Sequence, residues 1–116
     1  VKDGWSAVNA QNKSRVKVYN CVLTQNEYAI DVNSDAHLVA VNTIAWNNKD
    51  DFFVSPNCSV IIESCIIQYP NDRVVNRGDS YFNKDPLLNS DFSISPESIG
   101  YKTGKFKRNI GLDNLL

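Results

Sequence analysis

Through the first two thirds of the chain, apolar and polar residues alternate in pieces of three to five residues, separated by Asn, Ser, Asp and Pro. Short alternating pieces rich in β-branched residues and bounded by turn formers predict strands. The pieces also recur. Arg15-Val-Lys-Val-Tyr-Asn-Cys-Val-Leu23, His37-Leu-Val-Ala-Val-Asn-Thr-Ile-Ala45 and Ser59-Val-Ile-Ile-Glu-Ser-Cys-Ile-Ile67 keep apolar residues in the same columns at an interval of 22 residues, without insertion or deletion. Residues 7–10, 29–32, 51–54 and 73–76 align as a first strand met four times, with Val8, Ile30, Phe52 and Val74 as its inward column. Residues 16–18, 38–40 and 60–62 predict a second strand, and 21–24, 43–46 and 65–68 a third. No stretch carries a 3.6-residue apolar period long enough for a stable helix. Three strands per 22-residue unit predict an all-β solenoid of three to four coils over 6–77, like residue above like.

Direct stacking makes each column a prediction. Asn20, Asn42 and Ser64 share the bend between the second and third strands. Asn tolerates left-handed backbone angles and stacked amides can bond one another, so an amide ladder is expected there. Beyond the bend, Cys21 and Leu23 are expected to face inward and Val22, Ile44 and Ile66 outward. With Val39, Val41 and Ile61 these make an outer apolar wall larger than a monomer ordinarily leaves bare. From Gly78 the period is lost. Residues 78–116 carry Tyr81, Phe82, Leu87, Leu88, Phe92, Ile94 and Ile99 between the Pro86 and Pro96 turns, and are expected to form an irregular tail packed over that wall. Residues 1–5 are expected to cap the other end, with Trp5 as a plug. Stacking sets Lys13 over Asp35 and Glu27 over Lys49, opposite charges worth about 0.2–1 kcal/mol per pair. It also sets Asp50 and Asp72 in one column, about 5 Å apart at the usual strand spacing, with Asp51 adjacent.

Composition narrows the field. A chain of 116 residues is one domain or part of one. A net charge of −1 and a pI near 5.7 argue against a nucleic-acid binder or an anionic-membrane binder. Apolar runs are too short for a membrane span, and Val1-Lys2-Asp3 opens neither a signal peptide nor a lipidation motif. The lack of Met points to a processed chain or a fragment. Cys21 and Cys65 share a column two repeats apart, roughly 10 Å at about 4.8 Å per rung, beyond disulfide reach. With Cys58 they read as buried thiols acting as small hydrophobes.

Candidate chemistry is sparse. Trp46 with Asn47 and Lys49, near Gln25, Asn26 and Gln68 in the stack, suits sugar binding, because a ring face packs on sugar C–H groups while amides bond hydroxyls; corner packing is the plainer role for Trp46. Asp50, Asp51 and Asp72 supply oxygen ligands of the kind Ca²⁺ takes, against the reading of a solvated acidic edge. Calcium is the one cofactor these residues suggest. His37, the single histidine, is either a base or a solvated loop residue, and alone it cannot build a multi-histidine metal site. No Ser or Cys has a sequence-local partner of the kind a triad needs, and Asp31 and Glu63 lie in different columns, so no catalytic residue is assigned. Lys102, Lys105, Lys107 and Arg108 cluster in the tail, either to meet an anionic glycan or phosphate or as a solvated charge run.

The repeat Val-Lys-Val-Tyr-Asn-Cys-Val-Leu followed by Tyr-Ala-Ile-Asp-Val resembles the right-handed parallel β-helix repeat of the pectin-lyase-like superfamily. The ending, Asp85-Pro-Leu-Leu, Asp91-Phe-Ser-Ile-Ser-Pro96-Glu-Ser-Ile99-Gly100 and Asn109-Ile-Gly111, is similar to the closing segment of secreted bacterial β-helix proteins, although Glu97-Ser98-Ile99 replaces the usual small-residue stretch. The resemblance implies a right-handed parallel β-helix, here its C-terminal portion or a short member, and an extracellular or cell-surface setting. Members include polysaccharide lyases, glycoside hydrolases, phage tailspikes and proteins without known activity. None of their catalytic sets can be placed on residues of this chain. The leading expectation is therefore a non-catalytic module, structural or polysaccharide-contacting. A lyase or hydrolase fragment is the first alternative. The second is a self-assembly module, pairing through an open solenoid end or the apolar outer face.

Overall fold

The computed structural model describes residues 5–112, so residues 1–4 of the expected cap lie outside the described residues. In chain order the strands are β1 (Ser6–Ala10), β2 (Arg15–Tyr19), β3 (Val22–Thr24), β4 (Tyr28–Val32), β5 (His37–Val41), β6 (Ile44–Trp46), β7 (Asp50–Val54), β8 (Ser59–Glu63), β9 (Ile66–Ile67), β10 (Val74–Asn76) and β11 (Tyr81–Phe82). They form three sheets ordered β1-β4-β7, β10-β8-β5-β2 and β11-β9-β6-β3, with every pairing of named strands parallel. The arrangement is all-β and compatible with a β-helix-like solenoid. No helix among the described residues is long and apolar enough to cross a membrane.

The 22-residue period is the hydrogen-bonding register. Val8 pairs with Ile30 and Ile30 with Phe52; Val16 with Leu38 and Leu38 with Val60; Leu23 with Ala45 and Ala45 with Ile67. These columns meet in one interior cluster in which Ile30, Leu38, Ala45, Val60 and Ile67 are essentially fully buried. Asn20, Asn42 and Ser64 take the left-handed conformation expected of their bend, with φ of 51°, 52° and 53°. Their amides do not ladder with one another. Asn20 Nδ2 donates to the carbonyls of Asn109 and Gly111, both at 3.1 Å, while Asn42 accepts from Lys105 N at 2.7 Å and donates to its carbonyl at 3.2 Å. Side chains at this corner point outward and the tail supplies the nearest unpaired backbone groups.

The tail packs over part of the outer apolar wall. Val22, Ile44 and Ile66 form a second buried cluster with Ile94 and Ile110, flanked by Trp46, Tyr81, Leu88, Phe92, Ile99 and Tyr101. Val41 is buried, whereas Val39 and Ile61 stay half-buried on the outer face of the second sheet.

The fourth rung departs from the expectation. Val74 pairs with Val60, 14 positions earlier, so it does not continue the Val8, Ile30, Phe52 column. Tyr81 pairs with Ile66, and β7 is left as the edge of the first sheet. Pro70 stands where Asn26 and Asn48 stand in earlier rungs, and Asn26 N donates at 3.0 Å to Asn48 Oδ1. Proline has no side-chain amide to accept in that role, and the chain cuts the corner. Asp72 therefore does not stack on Asp50.

Smaller expectations divide. Glu27 and Lys49 pair at 3.0 Å, but no ion pair joins Lys13 to Asp35, whose backbones take left-handed angles in an exposed turn. Cys65 is buried, its thiol pushed up to about 11 by desolvation, while Cys21 and Cys58 are only half-buried; all three are free. Trp5 is not a plug: it is 66% exposed, its ring 5.7 Å from that of Tyr28 in an edge contact. Ala7, Val8, Val16 and Cys21 on the first rung are only partly buried, unlike Ala29, Ile30 and Leu38 beneath them.

The clamp between tail and wall is testable at Ile44 and Gly111. Gly111 has φ of +89°, and a Cβ there would lie 2.7 Å from Ile44 Cδ1. Ile44→Ala should cost about 2–5 kcal/mol and Gly111→Ala about 1–3 kcal/mol, read as lowered urea midpoints. Unchanged midpoints would mean that the tail adds no stability.

Candidate functional site

The acidic trio is not brought together. Asp50 is exposed and accepts the Asp51 N–H at 2.8 Å, Asp72 is exposed in the loop after β9, and Asp51 is fully buried. Among the described residues no three His, Cys, Asp or Glu side chains are grouped to hold a metal ion. Asp51 instead ends an internal polar ladder. Asn26 donates to Asn48 Oδ1 from its backbone at 3.0 Å and its amide at 3.3 Å, and Asn48 Nδ2 donates to Asp51 Oδ1 at 3.1 Å. Asp51 Oδ2 accepts the backbone N–H groups of Gln68 at 2.9 Å and Tyr69 at 2.8 Å. Burial raises the Asp51 carboxyl to about 6, partly offset by the Tyr69, Asn48 and Gln68 donors, with the Asp50 charge adding to the rise. Both oxygens are engaged, so the group closes the ladder where the fourth rung turns away.

Nor do Trp46, Asn47 and Lys49 make a platform. Trp46 is half-buried against the second cluster, Asn47 N is held by Gln68 Oε1 at 2.7 Å, and Lys49 is paired with Glu27, whose hydrogen bond raises the ammonium group above its usual range.

A different surface gathers the chemistry. Alternation along the second sheet turns Arg15, Lys17 and Tyr19 outward from β2, and register places them beside His37, Val39 and Val41 of β5 and Ser59, Ile61 and Glu63 of β8. The single helical turn of the tail, Lys105–Lys107, stands over the Tyr19 end and is fastened by Lys105 Nζ to Glu63 Oε2 at 3.1 Å. Between turn and sheet lies a cleft of about 640 Å³, with Val39 and Val41 as apolar floor and Lys17, Tyr19, Phe106 and Arg108 around it. Tyr19 is 54% and Phe106 79% exposed. At the far end of the same face His37, the first residue of β5 rather than a loop residue, has Nδ1 2.6 Å from Ser59 Oγ. No carboxylate bonds this imidazole among the described residues, so the pair lacks the orienting third group of an activated nucleophile. The face gathers aromatic, apolar and cationic groups around one cleft. Sequence reasoning singled out the tail cations but missed Lys17 and Tyr19, whose signal was the alternation in Arg15-Val-Lys-Val-Tyr19.

A second aromatic feature runs over the first sheet, where Trp5, Tyr28 and Phe53 meet edge to face at 5.7 and 5.6 Å. It lies beside the Glu27–Lys49 pair and carries no cluster of cations.

Because the Asp51 carboxyl is higher in the folded than in the unfolded chain, the native state binds the extra proton, and stability falls as pH rises from about 4 through 6. The Asp51 share of that fall is up to about 3 kcal/mol. Asp51→Asn should remove this segment of the stability profile, measured by urea unfolding at intervals from pH 4 to 7; an unchanged difference between pH 4 and 7 would refute it. Compared with protein-family models, with curated proteins and with solved structures, the chain matches none.

Proposed function

We propose that this chain is a non-catalytic module of the right-handed parallel β-helix kind, part of a secreted or surface protein, that holds a polysaccharide chain carrying acidic groups in the cleft between its second sheet and its tail. One observation carries the reading: two exposed aromatic rings, Tyr19 and Phe106, flank an apolar floor beside Lys17 and Arg108. Ring faces pack on the C–H faces of sugars, while ammonium and guanidinium groups bond carboxylate or sulfate oxygens. The cations sit on one face of a chain whose net charge is −1, so the attraction is local. Catalysis by this face has little support, because Glu63 is tied to Lys105 and no acid among the described residues orients His37.

Dextran sulfate should bind measurably by calorimetry at low salt, and uncharged dextran more weakly. Lys17→Gln should weaken dextran sulfate binding roughly three- to tenfold, with a comparable loss for Tyr19→Ala. No binding of dextran sulfate, or unaltered affinity in both variants, would remove the reading. Tighter binding of a single-stranded oligonucleotide would replace it with nucleic-acid recognition.

A second reading has its own observation. Among the described residues, strands β1, β2 and β3 are end strands of their sheets, and the apolar side chains of this first rung, Ala7, Val8, Val16 and Cys21, are only partly buried. Open backbone groups and half-covered apolar side chains favour pairing with another copy. Light scattering should show a mass that grows with concentration; a constant monomer mass at high concentration would exclude self-assembly.

A further inference from the structure

The His37–Ser59 pair occupies the row of the second sheet nearest Arg15, and no role proposed above uses it. Register stacks Arg15, His37 and Ser59 across three adjacent strands, about 4.8 Å apart at the usual spacing. Lys17 lies two residues from Arg15 on the same face, and the Val41 end of the cleft is roughly 13 Å away along β5, four residues at about 3.3 Å each. An extended oligosaccharide lying in the cleft therefore reaches this row.

We infer that His37 and Ser59 form a proton-operated gate that strengthens the hold of this face on an acidic polysaccharide as pH falls. The inference rests on the reading of the cleft as a polysaccharide surface. A neutral ring protonated on Nε2 accepts the Ser59 O–H at Nδ1, and the hydroxyl then offers a ligand only lone pairs. When one solvent proton adds to Nδ1, the new Nδ1–H donates to Ser59 Oγ. The Ser59 O–H is released to point away from the ring, and the row gains one positive charge and one outward donor. Nothing but that proton is transferred.

The surroundings decide the direction of coupling. Groups facing His37 are Arg15 and, diagonally, Lys17 from β2, and the uncharged Ser59 and Ile61 from β8. On its own chain Val39 lies two residues ahead and the exposed Asp35 two residues behind. The tail cations stand over the opposite end of the cleft. A polyanion across the row attracts the added charge and accepts from the released donors. Ligand and proton therefore favour each other, and by linkage each tightens the other by the same factor. Imidazoles change charge between pH 5 and 8, where sulfate esters do not, so dextran sulfate isolates the protein's side of the effect.

The single histidine makes the test direct. The His37 ring resonances are followed by NMR from pH 5 to 8 in the full chain, without and with saturating dextran sulfate, while calorimetry gives affinity at pH 5.5 and 8. The expected result is an upward move of the titration midpoint by roughly 0.5–1 unit and a matching three- to tenfold tighter binding at pH 5.5. His37→Gln should flatten the affinity ratio between the two pH values, and Ser59→Ala should retain only part of it. A midpoint unmoved by a ligand that calorimetry shows to be bound would overturn the gate and leave the cleft standing. The same holds for a pH ratio kept in His37→Gln. Absence of dextran sulfate binding at both pH values would remove the cleft reading and the gate together.

Discussion

The fold depends on one constraint: parallel strands that follow one another at a fixed interval must place like side chains in contact. Each backbone N–H and C=O inside a sheet is satisfied only if the neighbouring rung keeps register, and register slipped by one residue would send Ile30, Leu38 and Val60 to the outer surface. The 22-residue spacing meets both demands together. Polar columns obey the same rule at the corners, where left-handed angles at Asn20, Asn42 and Ser64 let the chain turn without disturbing the rungs.

Where the repeat fails, the failure has a local chemical cause and a wide structural effect. Pro70 lacks the side-chain amide that would continue the Asn26–Asn48 ladder, and Asp51 turns inward to accept from the Gln68 and Tyr69 N–H groups instead. The following segment bypasses the first sheet and rejoins the second at Val74. Burying a carboxylate in this role is tolerable because three donors surround it, although desolvation still raises it toward pH 6. The polar ladder thus sets how many rungs the first sheet has.

The tail turns an apolar liability into a second core. Val22, Ile44 and Ile66 would form a bare stripe, and Ile94 and Ile110 close it while the Asn20 and Asn42 amides take up tail carbonyls. The same docking carries Lys105, Phe106 and Arg108 to the edge of the second sheet, which already presents Lys17 and Tyr19. A chain of nearly balanced charge thereby acquires one basic, aromatic face.

By itself the sequence determined the strands, their interval, the inward parity of Leu23, Ala45 and Ile67 and the need for a cover over Val22, Ile44 and Ile66. All of these are set by local alternation and by columns that repeat at constant spacing. Only the tertiary structure decided the path of the fourth rung, the partners of Asp51, the exposure of Trp5 and the meeting of Lys17 and Tyr19 with Phe106 and Arg108. Those depend on contacts between segments with no common period. Trp46, Asn47 and Lys49 looked promising because aromatic, amide and cation were close in sequence, yet each is spent on packing, a backbone bond or an ion pair. Periodicity constrains what stacks on its own copy, whereas an aperiodic tail finds its place only where the finished surface offers buried area and unpaired polar groups.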